Sequence, residues 1–405
     1  MMEDKAGMGG APKSFLRLVK RHIVAPEHRF AVVVPRELGP LCLQELRELG
    51  IAEAEESDAG VEFSGRLNSA CACHLQLRTA SRVYCRLEPF RTGTAEELFH
   101  KVSRIKWELW LNPGIPLEVE AHVDYSRISH EGRTSELVLE GIQRAFRSAG
   151  LPAPERVSAG EAGEAGQRQK ILVHMVRNHC RISLDMTGVH LHERGYRREH
   201  AGAPLRETLA CAILRKAEWT ADMPLVDGMC GSGTFPIEAA MIARRIAPGL
   251  QREFLFEKWP SFQKDTWEYL RRKAAESILP EAGIPIWGID LDPEASRISV
   301  ENAKRAGVLA DIQFRTMDFF TFAPRDHGLS NGLLVLNPPY GKRLEGGGRD
   351  FYARLGAHIR KNFTGWKFAL LATSRSEISA MHLSSVRIWN IRHGGLPISV
   401  ALGQV

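Results

Sequence analysis

The sequence predicts an α/β protein with a mostly parallel sheet, preceded by a smaller α+β region of mixed strands. Two observations carry this. From residue 224 onward, short apolar runs alternate with helical patterns: 224–227, 285–290, 311–318, 333–337 and 367–374 read as strands, and 234–247, 293–306 and 350–362 as helices. That βαβα order demands a parallel sheet with helices on both faces. Before residue 190 the order is irregular, and "ILVHMV" and "CRISLDM" alternate at period two around "RNH", which predicts a hairpin.

Taken in order, residues 1–29 read as a flexible or basic arm. "FAVVVPRELGPLCLQELRELG" (30–50) reads strand, turn, helix, with Leu38, Leu41, Leu43, Leu46 and Leu49 forming an apolar stripe. "VEFSG" is a short strand, "SACACHLQL" a helix, and "RVYCRLEPF" another strand. "AEELFHKVSRIKWELW" is helical, "PLEVEAHVD" alternates as a strand, and "SELVLEGIQRAFRSAG" is a helix ending at Gly150. Residues 152–170 form a low-complexity loop. The boundary between the two regions falls near 187–203, and the C-terminal "SSVRIWNIRHGGLPISVALGQV" predicts an antiparallel hairpin. No fixed-period repeat is present.

The 405 residues are 44% hydrophobic and 25% charged, the make-up of a globular protein of two or three domains. No apolar run has the roughly 18–20 residues of a membrane span, and "MMEDKAGMGGAPKS" lacks the apolar core of a secretory signal. The seven cysteines are odd in number and scattered. Reduced thiols in a cytoplasmic protein are expected, and no metal site. The net charge of +6, with eight Lys/Arg against three Glu over 66–106, suits a polyanionic partner.

Four segments carry chemistry. In "LVDGMCGSGTFPIEAA" a strand ends at Asp227, glycines follow at 228, 231 and 233 around Ser232, and a helix opens at Thr234. Glycines let a ligand approach the main chain, and the helix N-terminus favours an anionic group. The spacing matches neither the dinucleotide fingerprint nor a P-loop, so it suits a cofactor without a pyrophosphate. In "WGIDLDP", Asp290 and Asp292 compete for two roles, accepting from ribose hydroxyls and capping the next helix. Asp290 is favoured for the ribose and Asp292 for the cap. In "RTMDFF", Asp318 either receives an adenine amino group, with Phe319 packed nearby, or belongs to an ordinary solvated turn. In "LLVLNPPYGKRL", two prolines force an extended turn beyond a strand's carboxyl end, where open α/β sheets bind ligands. Asn337 and the adjacent Pro338 carbonyl together offer two acceptors for one exocyclic NH2, and Tyr340 offers a flat face to a base. Holding both N–H bonds favours a pyramidal amine whose lone pair can attack a methyl sulfonium.

These segments resemble the class I S-adenosylmethionine-dependent methyltransferases of the amino-group type. "LHERGYRREHAGAPLRETLACAIL", "DGMCGSGTFPIEAAMIARRIAPGLQREF", "NPPYGKRL", "NFTGWKFALLATS" and "RHGGL" are more closely similar to the THUMP-domain guanosine-N2 RNA methyltransferases, over about residues 30–402. That family includes bacterial large-subunit ribosomal RNA enzymes and archaeal tRNA enzymes. The resemblance implies a Rossmann-like methyltransferase domain over 191–405, a ferredoxin-like piece plus a THUMP RNA-binding fold over 30–190, S-adenosylmethionine as cofactor, and structured RNA as partner. It gives Asn337, Pro338, Pro339 and Tyr340 base-handling roles. It gives Asp227, Gly228, Gly231, Ser232, Gly233, Thr234, Asp290, Asp318 and Phe319 cofactor roles. "APLRETL", with Pro204 and Leu205, resembles the piece that closes over the methionine end. One departure is Asp227-Gly228, where the family usually has Asp-Pro.

Ribosomal RNA and tRNA both stay open as substrates. A DNA adenine-N6 methyltransferase competes, because "NPPY" serves either amine, as does a catalytically silent RNA-binding factor. The H-x-H pair of "HLHERGYRR" reads as part of a basic RNA-facing linker rather than a metal site. "YSRISHEGR" is either a phosphate contact or a solvated loop. Trp259, Trp267 and Trp287 read as packing residues.

Overall fold

The computed structural model describes residues 12–58, 60–157, 168–199, 205–338, 348–393 and 396–405. Pro204, Pro339 and Tyr340 lie outside the described residues.

The chain opens with α1 (Lys13–Val19), continued by one π-helical turn to Val24. This part of the expected arm is therefore ordered: Val19 and Ile23, one helical repeat apart, are buried in the core with Phe15 packed beside them. The N-terminal sheet then takes β1 (His28–Val33), α2 (Gly39–Glu48), β2 (Glu55–Ser57), β3 (Gly60–Gly65), α3 (Leu67–Gln76), β4 (Arg82–Arg86), β5 (Phe90–Arg91), α4 (Ala95–Ser103), β6 (Leu117–Asp124), α5 (Glu131–Ser148), β7 (Gln169–Val176) and β8 (His179–Asp185). Its order is β2-β3-β1-β4-β8-β7-β6, with β5 pairing β8. Hydrogen bonding between β4 and β8, with Tyr84 opposite Asp185, makes one continuous sheet from segments a hundred residues apart. The expected hairpin is β7–β8, turned by Arg177 and Asn178 at φ 50° and 63°, as a tight two-residue hairpin turn requires. Thr94 caps α4 by accepting from Glu97 N at 3.2 Å, and α4 crosses α5 at Gly141, where a Cβ would lie 2.8 Å from Val102 Cγ1.

The second sheet follows: α6 (Glu207–Lys216), β9 (Leu225–Asp227), α7 (Thr234–Ala243), α8 (Lys264–Glu276), β10 (Ile286–Asp290), α9 (Pro293–Ala306), β11 (Ile312–Thr316), β12 (Leu333–Leu336), α10 (Gly348–Asn362), β13 (Lys367–Ala372), α11 (Arg375–Ala380), β14 (Arg387–His393) and β15 (Leu396–Gln404). Its order is β11-β10-β9-β12-β13-β15-β14. The first five strands are parallel, and β15 joins β13 and β14 antiparallel, as the alternation and the C-terminal hairpin signature predict.

Residues 249–283 join the two sheets. Gly249 N donates to the Leu75 carbonyl at 3.0 Å, an approach that leaves no room for a Cβ, which would stand 2.4 Å from the His74 carbonyl oxygen. Phe256 N donates to Met186 O at 3.0 Å, and Trp259 Nε1 to Gln169 Oε1 at 2.8 Å. Trp259 and Trp267 are buried here, and Trp287 in the second sheet, as packing residues.

His74 lies inside this joint. One ring nitrogen is 2.7 Å from Ala70 O, the other 3.1 Å from Thr187 Oγ1, and Phe254 and Phe256 flank the ring at 5.1 and 5.0 Å. Burial pushes its pKa down to about 3. A depressed histidine contributes stability that is complete above its unfolded pKa near 6.5 and is lost as pH falls toward 3. The unfolding free energy should therefore fall by about 1.4 kcal/mol per pH unit from this residue within that window. Denaturant titrations across the window should show a shallower slope in His74→Gln, and an unchanged slope would exclude this source.

Candidate active site

The strand order reverses at β9. The chain runs outward through β10 and β11, then returns to place β12 on the other side of β9. Ligands bind in open α/β sheets at the carboxyl ends of strands flanking such a switch point. Here those ends carry Asp227, Asp290 and Asn337. Val335 lies opposite Asp227 in register, and Gly228 N donates to Val335 O at 3.3 Å. Residues 110 positions apart in sequence thus share one crevice.

Several carbonyls and side chains shape the glycine loop. Asp227 is buried and accepts from Met229 N at 3.2 Å. Burial, reinforced by the Asp290 carboxylate, raises its pKa well above the usual carboxylate range. Cys230 N donates to Ile289 O at 2.9 Å, and Gly233 N to Cys230 O at 2.8 Å. Gly231 and Gly233 adopt φ of 52° and 82°, the left-handed region where side chains are strained. A Cβ on Gly233 would stand 2.9 Å from Ser299 Cβ, so α7 packs directly on α9. A Cβ added at Gly231 would meet nothing within 4 Å. Gly231 and Met229 are the half-exposed positions of the loop, while Ser232 and Thr234 are buried. A main chain open at Gly231, beside a helix N-terminus and a carboxylate, fits a nucleoside cofactor with an anionic end.

Asp290 and Asp292 divide their work in part as the sequence suggests. Asp292 caps α9, accepting from Glu294 N at 2.9 Å. Asp290 Oδ2 accepts from Gly231 N at 2.7 Å and Oδ1 from Asp292 N at 3.0 Å, so its carboxylate also holds the loop. Leu291 between them is 69% exposed, an apolar face at the mouth that the sequence reading passed over.

At the end of β11, Asp318 accepts from Phe320 N at 3.0 Å. Arg354 of α10 lies 3.7 Å from its other oxygen and 3.8 Å above the Phe320 ring. This cation–π cap joins residues distant in sequence and carried no local signal. Phe319 is buried beneath the loop: a Cβ on Gly228 would be 2.4 Å from its Cδ2. Phe319 thus supports the loop from below instead of lining the mouth, and its ring explains why residue 228 is glycine here. Asn337 is half-exposed at the end of β12, Pro338 is buried, and Leu205 is buried beside Thr234.

Two surface readings change. In "HLHERGYRR", Arg194 and Tyr196 are buried and Arg197 is nearly so, each bonded within the protein, so two of its three arginines are internal and Arg198 is the exposed one. Burial and nearby arginines push His190 and His192 down to about 4 and about 3, so both are neutral near pH 7. No group of three metal-ligating side chains is placed together among the described residues. Within 66–106, Arg78, Arg82 and Arg86 bond to Ile246 O, Asp185 and Glu62, which leaves Arg66, Arg91, Lys101, Arg104 and Lys106 exposed. In "YSRISHEGR", Arg133 pairs with Glu136 and Glu140 in an exposed setting.

A switch-point crevice with an open glycine loop and a carboxylate at the end of the neighbouring strand is that of a class I S-adenosylmethionine-dependent methyltransferase. Residues 194–399 match the RMKL-like methyltransferase domain, residues 29–84 match the RlmL ferredoxin-like domain, and the chain belongs to this family. A Synechocystis protein assigned by name to RNA methyltransferases is 31% identical over 375 residues, covering 92% of this chain and 95% of that protein. The ribosomal RNA large subunit methyltransferase K/L of Vibrio parahaemolyticus is 34% identical over 383 residues, covering 91% of this chain. The chain spans about half of that longer relative, 52%. The solved structure of SMU.472, titled as a methyltransferase complexed with SAH, superposes with a TM-score of 0.82 at 27% identity, covering 93% of this chain and 98% of that one. The cofactor is S-adenosylmethionine.

Proposed function

We propose that the protein transfers a methyl group to the exocyclic N2 amine of a guanosine in structured RNA, and that this RNA is large-subunit ribosomal RNA. In this reading residues 191–405 form the methyltransferase unit, and residues 30–190 a ferredoxin-like and THUMP unit that binds RNA. The observation that carries it is the pairing of β9 with β12, which sets Asn337 beside the cofactor loop. The K/L relative's name supports ribosomal RNA as the substrate.

S-adenosylmethionine, when bound, supplies an electrophilic methyl on a sulfonium. Asp290 accepts from the ribose and the main chain at Gly231 faces the methionine end. Asp318 and Leu291 receive the adenine. Asn337 Oδ1 and the Pro338 carbonyl accept from the two N–H bonds of the target amine, and Tyr340 stacks on the base. Nucleoside mass spectrometry of separated RNA fractions from a deletion strain tests the function. Loss of N2-methylguanosine from large-subunit RNA alone is expected. Loss from tRNA would reassign the substrate, loss of N6-methyladenine from DNA would replace the reaction, and no loss would indicate a silent assembly factor.

Asp290→Ala should weaken cofactor binding about ten- to a hundredfold. It removes the charge-assisted acceptor for the ribose, which contributes about 1.5–3 kcal/mol. Calorimetric titration reads this directly, and unchanged affinity would remove Asp290 from the site.

RNA affinity should fall steeply with salt, because each phosphate neutralised releases counterions. Replacing exposed Arg66, Arg104 and Lys106 by alanine should lower the slope of log K against log salt by up to about 3. A slope equal to that of the wild type would move the RNA path off this surface.

A further inference from the structure

We propose that Arg197 is a positioning residue for the cofactor, fastening the strap 205–207 to the first turn of the glycine-loop helix. Its Nη2 donates to Thr234 Oγ1 at 2.6 Å and its Nη1 to the Leu205 carbonyl at 3.1 Å, and its Nε lies 3.3 Å from Glu207 Oε1. One planar guanidinium thus touches the opening residue of α7 and two positions of the strap, a fork that a lysine does not reproduce. The Arg197 side chain is 11% exposed and that of Glu207 is 3% exposed, so water does not replace these bonds at low cost.

The neighbouring residue is anchored to the other side of the loop. The Tyr196 carbonyl accepts from Arg305 Nε at 2.7 Å, Arg305 Nη2 donates to Asn302 Oδ1 at 2.6 Å, and Asn302 Nδ2 donates to the Ser232 carbonyl at 3.0 Å. Residues 196–197 therefore connect to the glycine loop at Ser232 through α9 and at Thr234 through the guanidinium. The loop and the strap are held at one spacing before any ligand arrives. Such preorganisation lowers the ordering cost of binding. The proposal rests on the cofactor site and is independent of which base accepts the methyl.

The test is calorimetric titration of S-adenosylhomocysteine onto the full chain and onto Arg197→Ala, Thr234→Val and the double variant, with hydrogen exchange of the ligand-free proteins. Each single change should weaken binding by about tenfold, the loss expected for one charge-assisted hydrogen bond. The double variant should bind about as weakly as Arg197→Ala alone, because the Arg197–Thr234 bond is already lost there. Ligand-free Arg197→Ala should exchange faster at both 205–209 and 234–238, and millimolar free guanidinium should restore part of its affinity. Wild-type affinity in Arg197→Ala, or losses that add in the double variant, would overturn the proposal. If Arg197→Ala does not fold, Thr234→Val decides alone: wild-type affinity there overturns it, and a tenfold loss with faster exchange at 205–209 sustains it.

Discussion

Asn337→Ala is expected to slow single-turnover methyl transfer by about 10²–10³-fold, equivalent to about 2.7–4 kcal/mol of transition-state stabilisation. The proposed role of its amide oxygen is to accept from the target amine as that nitrogen becomes pyramidal, an interaction strongest at the transition state. The change should leave the scaffold intact. β12 is buried from Leu333 to Leu336 and is paired through its main chain with β9 and β13. The glycine loop is tied to this strand by Gly228 N and Val335 O, neither belonging to the replaced side chain. Cofactor affinity and melting temperature should therefore change little while transfer collapses. A variant that transfers at the wild-type rate would remove Asn337 from catalysis. Loss of stability together with cofactor binding would make it a structural turn residue.

Glu238→Ala is expected to cost the largest amount of stability, about 3–5 kcal/mol, the usual result of removing one partner from a buried ionic cluster. Glu238 is fully buried on α7 and accepts from Tyr196 Oη at 3.0 Å and Cys211 Sγ at 2.9 Å. Burial, with Glu238 adjacent, pushes the Cys211 thiol well up, so it stays protonated and donates. Arg194 Nε and Arg78 Nη1 lie 3.7 and 3.9 Å from the carboxylate, so truncation would leave two guanidinium groups without their buried anion. Arg78 belongs to the N-terminal region and Glu238 to α7 of the methyltransferase half, so the cluster also joins the two halves. Denaturant unfolding followed by tryptophan fluorescence measures the loss. A change under about 1 kcal/mol would show that the cluster relaxes or hydrates without its anion.

The parts of this molecule legible in its sequence are those whose chemistry is local. A strand-ending Asp227 followed by Gly231 and Gly233, and an Asn337 followed by prolines, announce themselves because tight turns restrict which residues fit. The parallel sheet follows from the alternation of strands and helices. The loop-supporting role of Asp290 was not readable, since Gly231 N reaches it across 59 positions. The same holds for Arg354 over Phe320 and for the β4–β8 pairing. Two signals were present and passed over. Glu238 is a single acid in the otherwise uncharged "TFPIEAAMIA", where burial demands partners. Phe15, Val19 and Ile23 recur every four residues in a segment that composition alone marks as a basic arm.

The most direct measurement is transfer of an isotopically labelled methyl group from S-adenosylmethionine by the purified full chain, followed by nucleoside mass spectrometry of the product. Substrates would be unmodified large-subunit ribosomal RNA, tRNA and duplex DNA, offered separately. Label in N2-methylguanosine of the ribosomal RNA, abolished by Asn337→Ala, is the expected result. Label in N6-methyladenine, or none in any nucleic acid despite measurable cofactor binding, would contradict it.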